Sequence, residues 1–232
     1  NTLQSINNNL LGTQNILKCI ENIKPNNLKS VVFISSDKAT SPVNNYGMCK
    51  ALSETLIIEN SFYFPEIKFC NVRYGNVLNS RGSIIPLLHL VGQDPLKLFF
   101  NLTDPRMTRF VMTLSDSVDL IEHALEYGVS GDTVIPKLVS MKLQHLLQIF
   151  SEIYNKPIKT VGLRPGEKIL ESLINVTQAQ RIECVGDYTH IRSVLGNQPL
   201  IVSEKDIHDY NSNINYLSKD ELFLFLTKLK LI

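Results

Sequence analysis

Four apolar residues in a row, Val31-Val32-Phe33-Ile34, constrain the fold more than any other feature of this chain. An uninterrupted apolar run is the pattern of a strand covered on both faces, because no position in it suits solvent. Polar residues from Ser35 to Asn45 follow as a loop. Tyr46 to Tyr63 reads as a helix, Pro65 breaks it, and Ile67-Lys68-Phe69-Cys70-Asn71-Val72 reads as the next strand. Strand, loop, helix, strand is the rhythm of a parallel sheet, whose neighbours need a crossover connection.

The flanking segments extend that pattern. Leu3, Ile6, Leu10, Leu11, Ile16, Leu17 and Ile20 predict a helix over 2–22, ended by Pro25, Asn26 and Asn27. A loop with Gly75 and Gly82 precedes a helix from Ser83 to about Val91. Further elements are a short strand near 110–112, a helix at 115–127, a strand at 134–135 and an amphipathic helix at 141–154. A strand at 159–161, a short helix at 167–174, an irregular stretch over 180–216 and a last helix at 219–228 complete the reading. The fold class expected is α/β, with residues 1–78 as the second half of a doubly wound sheet. Residues 79–232 form mainly a small mixed α/β lobe that covers a ligand, with elements returning to the sheet.

Composition narrows the partners. The 232 residues carry a formal net charge of +1, with 19% charged and 44% hydrophobic residues. So balanced a chain has no long-range field for nucleic acid or an anionic membrane, and anion recognition falls to a few placed arginines and lysines. Cys19, Cys49, Cys70 and Cys184 show no CxxC spacing, which predicts neither a zinc site nor a disulfide framework and fits a reducing cytoplasm. His89, His123, His145, His190 and His208 share no ligand spacing and read as structural or surface residues, so no metal is expected. No apolar run reaches membrane-spanning length and no signal peptide is read.

The chemistry concentrates after the apolar strand. Ser35-Ser36-Asp37-Lys38 sits at its carboxyl end, where open α/β sheets bind ligands. Tyr46 lies ten residues after Ser36, and Lys50 follows Tyr46 at i+4, on the same helix face. A lysine ammonium beside a tyrosine favours phenolate, so this tyrosine can exchange a proton with a sugar hydroxyl while hydride moves to a nicotinamide. Ser36 can hydrogen-bond the same hydroxyl. Taken singly, these residues have plainer readings. Asp37-Lys38 would be an exposed turn pair, Lys50 a solvated helix residue, and Glu167 a cap on the helix after it. The leucines at 220–230 read as core packing.

The order of motifs settles between these readings. SSDKATSPVNNYGMCK at 35–50 resembles the active-site stretch of UDP-N-acetylglucosamine 4,6-dehydratases, in the polysaccharide-biosynthesis branch of the extended short-chain dehydrogenases. VRYGNVLNSRGSIIP at 72–86, DPRMTRF at 104–110, PKLVSMK at 136–142 and LRPGEK at 163–168 agree in order, and NNLLGTQN at 8–15 is similar to the helix before the catalytic strand. DPRMTRF is closer to the soluble form that also inverts C5. The resemblance implies a Rossmann-type dinucleotide-binding domain and oxidation of the sugar at C4 by NADP. Water is then eliminated across C5 and C6, and hydride returns to C6. It implies Ser36, Asp37, Lys38, Tyr46 and Lys50 as catalytic residues, with Asp37 the acid for the C6 hydroxyl and Lys38 the base for the C5 proton. Tyr46, Lys50 and Val77 would contact the cofactor. Asn76, Arg81, Thr103, Arg109, Arg164 and Glu167 would hold a UDP-sugar, the arginines along one wall of the catalytic cleft. A homo-oligomer is expected of the complete protein.

The family's opening strand–GxGxxG–helix is not in the chain, which starts at Asn1 inside a helical pattern and has only Gly12 before residue 47. By analogy roughly 90 residues of the first half-sheet lie outside it. Two alternatives therefore accompany the dehydratase: a truncated, non-catalytic UDP-sugar-binding remnant or subunit, and a 4-epimerase. The epimerase would use Tyr46 and Lys50 but has no need of Asp37-Lys38. Pyrophosphate binding in such folds depends on the glycine-rich turn and the first helix N-terminus. Residues 1–232 titrated with NADP by calorimetry should therefore show no tight binding. Micromolar binding at one cofactor per chain would overturn that expectation.

Overall fold

The apolar run becomes strand β1 (Ser30–Ser36), and β2 (Lys68–Tyr74) lies parallel to it, with Val32 opposite Cys70 and Ser35 opposite Arg73. The computed structural model describes residues 1–195 and 208–232. Its helices are α1 (Thr2–Ser5), α2 (Gly12–Ile23), α3 (Asn45–Tyr63), α4 (Ile84–Gln93), α5 (Leu114–Tyr127), α6 (Leu143–Tyr154), α7 (Val176–Ala179) and α8 (Lys219–Lys228). The remaining strands are β3 (Asn76–Val77), β4 (Phe100–Leu102), β5 (Thr108–Met112), β6 (Thr133–Pro136), β7 (Val139–Lys142), β8 (Ile158–Thr160), β9 (Ser172–Ile174), β10 (Ile182–Val185), β11 (Tyr188–Ile191), β12 (Tyr210–Asn211) and β13 (Tyr216–Leu217).

The chain divides into two compact units. The first comprises 1–74, 115–137 and 172–210; the second comprises 75–114, 138–171 and 211–232. The first unit is built on a sheet ordered β1-β2-β6-β11-β10, parallel from β1 to β6 and antiparallel beyond it. This is a mixed α/β, Rossmann-like fold. Leu17 and Ile20 of α2, Ile57 of α3 and Phe69 of β2 form one apolar layer. Val72 and Val134 close a second one with Leu120 and Ala124 of α5. Strands β2 and β6 are buried along most of their length, as a covered parallel sheet requires. Strand β1 departs from the expectation of cover on both faces: Val31, Val32 and Phe33 are half-buried and Ile34 is 45% exposed, because β1 is the edge of this sheet and has a neighbour on one side only among the described strands.

The second unit has a sheet ordered β13-β7-β5-β3 and a smaller pair, β4 with β8. Its core gathers Ile85 and Leu88 of α4, Phe100 of β4, Leu146 and Phe150 of α6, and Leu222 and Leu226 of α8. Helix α8 starts with a reciprocal cap between Ser218 and Glu221. Of the leucines at 220–230, Leu222 and Leu226 are fully buried, whereas Leu224 is 66% exposed.

Four further expectations change. First, the helix expected over 2–22 has a π-helical stretch at Ile6–Leu11 between α1 and α2. There the Asn9 carbonyl accepts the hydroxyls of Thr13 and of Ser53 on α3, which compete with the regular ladder. Second, Met141 and Lys142 belong to β7, because β7 pairs antiparallel with β5, Arg109 opposite Met141. Third, no helix forms at 167–174. The Ile169 carbonyl accepts the Thr108 N–H, and the Arg109 guanidinium takes the carbonyls of Lys168 and Ile169, so the oxygens a helix would use are committed elsewhere. Fourth, the irregular reading of 180–216 misses the β10–β11 hairpin, turned at Gly186 with φ 62°. The part of that reading at 196–207 lies outside the described residues.

Phe150 packs edge-on against His89 at 4.9 Å and Phe100 at 6.4 Å between ring centroids, with no solvent exposure. Phe150→Ala should cost about 3–5 kcal/mol in urea unfolding. A loss below about 1 kcal/mol would show that the second unit does not depend on this layer.

Candidate active site

Every residue expected to do chemistry sits in the first unit, around the carboxyl end of β1. Ser36 ends the strand in extended conformation, and its Oγ accepts the Lys38 N–H at 3.2 Å, capping a single 3-10 turn over Asp37–Ala39. The same hydroxyl donates to Asp37 Oδ1 at 2.8 Å, and Lys38 Nζ donates to that oxygen at 2.9 Å. Asp37 is fully buried and Lys38 is one-third exposed, 33% by side chain. The plain reading of this pair as an exposed turn fails for Asp37. Asp37 Oδ2 is buried and has no hydrogen-bond partner among the described residues. Oδ2 is thus a buried acceptor whose hydrogen-bonding capacity the described residues leave unused.

Helix α3 begins against this turn. Asn44 caps it, Oδ1 accepting the Gly47 N–H at 2.9 Å. A β-carbon on Gly47 would stand 2.2 Å from the Lys38 carbonyl oxygen, so only glycine lets the helix start so close to the turn. Tyr46 on the first turn is 40% exposed. With Lys38, Asn44 and Asn45 it lines a cleft of about 570 Å³, closed on the other side by Ser5, Asn8 and Asn9 of the helical segment before β1. Ser36 and Asp37 are buried and are not among the residues that line this cleft.

Lys50 departs from expectation. Its Nζ donates to the Ile34 carbonyl at 2.8 Å, lies 4.6 Å over the Phe33 ring and is 5.9 Å from the Tyr46 ring centroid. Burial raises the Tyr46 pKa above the ordinary tyrosine range; Lys38 opposes that rise, Asp37 adds to it, and a Ser36 hydrogen bond opposes it. The cation that favours phenolate is therefore Lys38, not Lys50. Burial also lowers the Lys50 pKa, against the pull of Glu54. Lys50 spends one of its three N–H donors on β1 and keeps two for a ligand. Tyr46 and Lys50 thus offer a hydroxyl and two amine donors, a set that suits the ribose and nicotinamide end of a dinucleotide.

The second unit holds Asn76, Val77, Arg81, Thr103, Arg109, Arg164 and Glu167. Asn76 and Val77 form β3 beside Val111 and Met112, and Asn76 Oδ1 is buried with no partner among the described residues. Arg81 and Arg164 are exposed. Glu167 accepts the Arg164 N–H at 3.2 Å and closes a turn, with no helix after it to cap. Thr103 is half-buried at the end of β4. Arg109 donates to the carbonyls of Thr108, Ile169 and Lys168 at 2.7, 3.2 and 3.0 Å and lies 4.0 Å from Glu171. Its geometry favours an internal tie over a free phosphate ligand.

Two residues escaped the sequence reading: Glu54, one turn after Lys50, and Arg73 on β2, joined in a buried ion pair at 2.7 Å. The signal available was spacing, since 46, 50 and 54 share a helix face. Among the described residues, no group of three or more His, Cys, Asp or Glu could hold a metal ion. No described helix is long and apolar enough to cross a membrane.

Residues 1–193 match the family model described as polysaccharide biosynthesis protein. A UDP-glucose 4-epimerase of Rickettsia bellii (strain OSU 85-389) is 38% identical over 193 residues, 82% of this chain and 55% of the relative. The chain thus spans about half the length of the curated relatives it matches. The X-ray structure of Pen from Bacillus thuringiensis is 34% identical with a TM-score of 0.88, covering 99% of this chain and 71% of Pen. A dTDP-glucose 4,6-dehydratase from Bacillus anthracis in complex with NAD shares the fold at 15% identity, with a TM-score of 0.59 over 72% of this chain and 59% of that one.

Gly47→Ala tests the contact between helix and turn. Because backbone cannot yield as a side chain can, the substitution should cost about 1–3 kcal/mol and move the turn that carries Lys38. An unchanged melting temperature would show that α3 does not start against this turn.

Proposed function

The chain belongs to the polysaccharide biosynthesis protein family, and from that premise we propose that it carries the proton-transfer machinery of a nucleotide-sugar 4,6-dehydratase acting on UDP-N-acetylglucosamine. One observation supports this above the rest: the buried Asp37, unpartnered at Oδ2 among the described residues, is paired through Oδ1 with Lys38, which lines one cleft with Tyr46. A bound NADP supplies the hydride acceptor for C4 and the hydride donor for C6. Tyr46, as the phenolate that the Lys38 charge favours, takes the C4 hydroxyl proton. Oxidation at C4 acidifies the C5 proton. A proton passed from Lys38 Nζ to Asp37 across their 2.9 Å hydrogen bond converts the ion pair into an amine base and a carboxylic acid. The amine then accepts the C5 proton, Asp37 delivers its proton to the departing C6 hydroxyl, and water leaves. Charge and protons balance within one residue pair.

In the second unit, exposed Arg81 and Arg164 are the cations we assign to the diphosphate, with Asn76, Thr103 and Glu167 near the nucleotide. Inversion at C5 is part of the proposal, and it requires the planar intermediate to take its new C5 proton on the face opposite the one that lost it.

A 4-epimerase is the second reading, favoured by the name that the Rickettsia relatives carry. That reaction needs Tyr46 and Lys50 but gives Asp37 and Lys38 no task. The complete gene product incubated with UDP-N-acetylglucosamine separates the readings by NMR. A 4-keto-6-deoxy sugar is expected; a C4 epimer supports the second reading, and binding without turnover identifies a remnant. Asp37→Asn and Lys38→Met should each lower kcat by about 10²–10⁴-fold with substrate affinity retained. Turnover at the original rate in either variant would remove that residue from the mechanism.

A further inference from the structure

We infer that the buried Arg73–Glu54 ion pair is a positioning clamp, holding α3 in the one register that sets Tyr46 and Lys50 against the end of β1. The inference rests on the reading of Tyr46 and Lys50 as the reacting pair. Glu54 and Arg73 are 7% and 2% exposed by side chain, and the contact is a two-pronged fork: Arg73 Nε donates to Oε1 at 2.9 Å and Nη2 to Oε2 at 2.7 Å. Such geometry fixes direction as well as distance. Arg73 stands opposite Ser35, one residue before the catalytic Ser36. The fork therefore ties the third turn of the Tyr46–Lys50–Glu54 face to the strand beside β1, level with the site.

The third nitrogen of Arg73 extends the clamp. Nη1 donates to the Leu173 carbonyl at 2.6 Å and to Gln178 Oε1 at 2.9 Å, and Gln178 is itself fixed in the cap of α7. Thr40 Oγ1 donates to the same Leu173 carbonyl at 3.3 Å, just past the Asp37–Ala39 turn. One carbonyl thus joins the helix clamp to the turn that carries Asp37 and Lys38. Asn71 Nδ2 adds a tie to the Glu54 carbonyl at 3.3 Å.

Energy alone does not account for the pair. Burying two charges costs several kcal/mol per ion, and well-packed apolar residues often serve stability as well or better. Apolar contact, however, tolerates sliding of a helix along a sheet, and a fork does not. The pair also acts on Lys50 through charge. Facing the Lys50 amine are Glu54 and Tyr46 on its own helix, and the Phe33 ring and Ile34 carbonyl on β1. Glu54 is the carboxylate that favours the ammonium, and Arg73 holds it in place.

The test uses the complete protein and the variants Glu54→Gln, Arg73→Lys and Tyr46→Phe. Glu54→Gln keeps the shape and loses the charge; Arg73→Lys keeps the charge and loses the fork. Both should fold and bind UDP-N-acetylglucosamine with KM near the original, while kcat falls by about ten- to a hundredfold through misplacement of the reacting pair. In Glu54→Gln, Lys50 loses its favouring carboxylate. The alkaline limb of kcat should move to lower pH, and reductive methylation of Lys50, read by mass spectrometry at fixed pH, should be faster. Unchanged kcat and Lys50 reactivity in both variants overturn the clamp, as does failure of both to fold, which would leave the pair a stability role alone. Turnover at the original rate in Tyr46→Phe would instead defeat the reading of the reacting pair, while Lys50 reactivity still decides whether Arg73 and Glu54 position it.

Discussion

A carboxylate withdrawn wholly from water must be met by donors, and Asp37 is such a group. Its Oδ1 takes two, the Ser36 hydroxyl and the Lys38 amine, and its Oδ2 takes none among the described residues. The surrounding structure follows from this requirement. β1 must end at Ser36 so that the hydroxyl both caps the turn and reaches Asp37. The turn must be tight enough for Lys38 to fold back onto its own neighbour. Helix α3 must then start directly above it, which Gly47 permits, so that Tyr46 arrives beside a lysine rather than beside a bare carboxylate.

Much of this fold is legible because its signals are local. A parallel strand leaves an unbroken apolar run, even where, as in β1, the described residues cover it only in part, and a crossover helix leaves a proline or asparagine at its ends. The segments from 30 to 74 accordingly form near their expected limits. Misreadings occur where distant groups overrule local pattern. The stretch after Arg164 has helical spacing, but Thr108 and Arg109 claim its carbonyls from roughly sixty residues away in sequence. The β10–β11 hairpin lacks apolar alternation because Ile182, Glu183 and Cys184 are exposed, and only the Gly186 turn announced it. The π-helical stretch at Ile6–Leu11 depends on Ser53, a residue on another helix.

The site divides in the same way. Ser36, Tyr46 and Lys50 are legible from spacing, since a strand end and an i, i+4 pair fix where they fall. Asp37 and Lys38 gain meaning only from the surrounding motif; alone they resemble any turn. The electrostatics are not legible at all. Which lysine faces the Tyr46 hydroxyl depends on Lys50 bonding to Ile34, a backbone contact without sequence signature. Nor does spacing alone show that Arg109, an expected phosphate ligand, spends its donors on three carbonyls of its own chain.

The central claim is that Asp37 and Lys38 serve an elimination, so the most direct measurement follows the atoms they move. The complete protein should be incubated with UDP-N-acetylglucosamine in heavy water and the product sugar analysed by mass spectrometry and NMR. The account predicts a product that has lost one water and carries solvent deuterium at C5, where Lys38 acts. A product of unchanged composition, isomeric with the substrate and free of deuterium at C5, would contradict it and leave the buried pair without a chemical role.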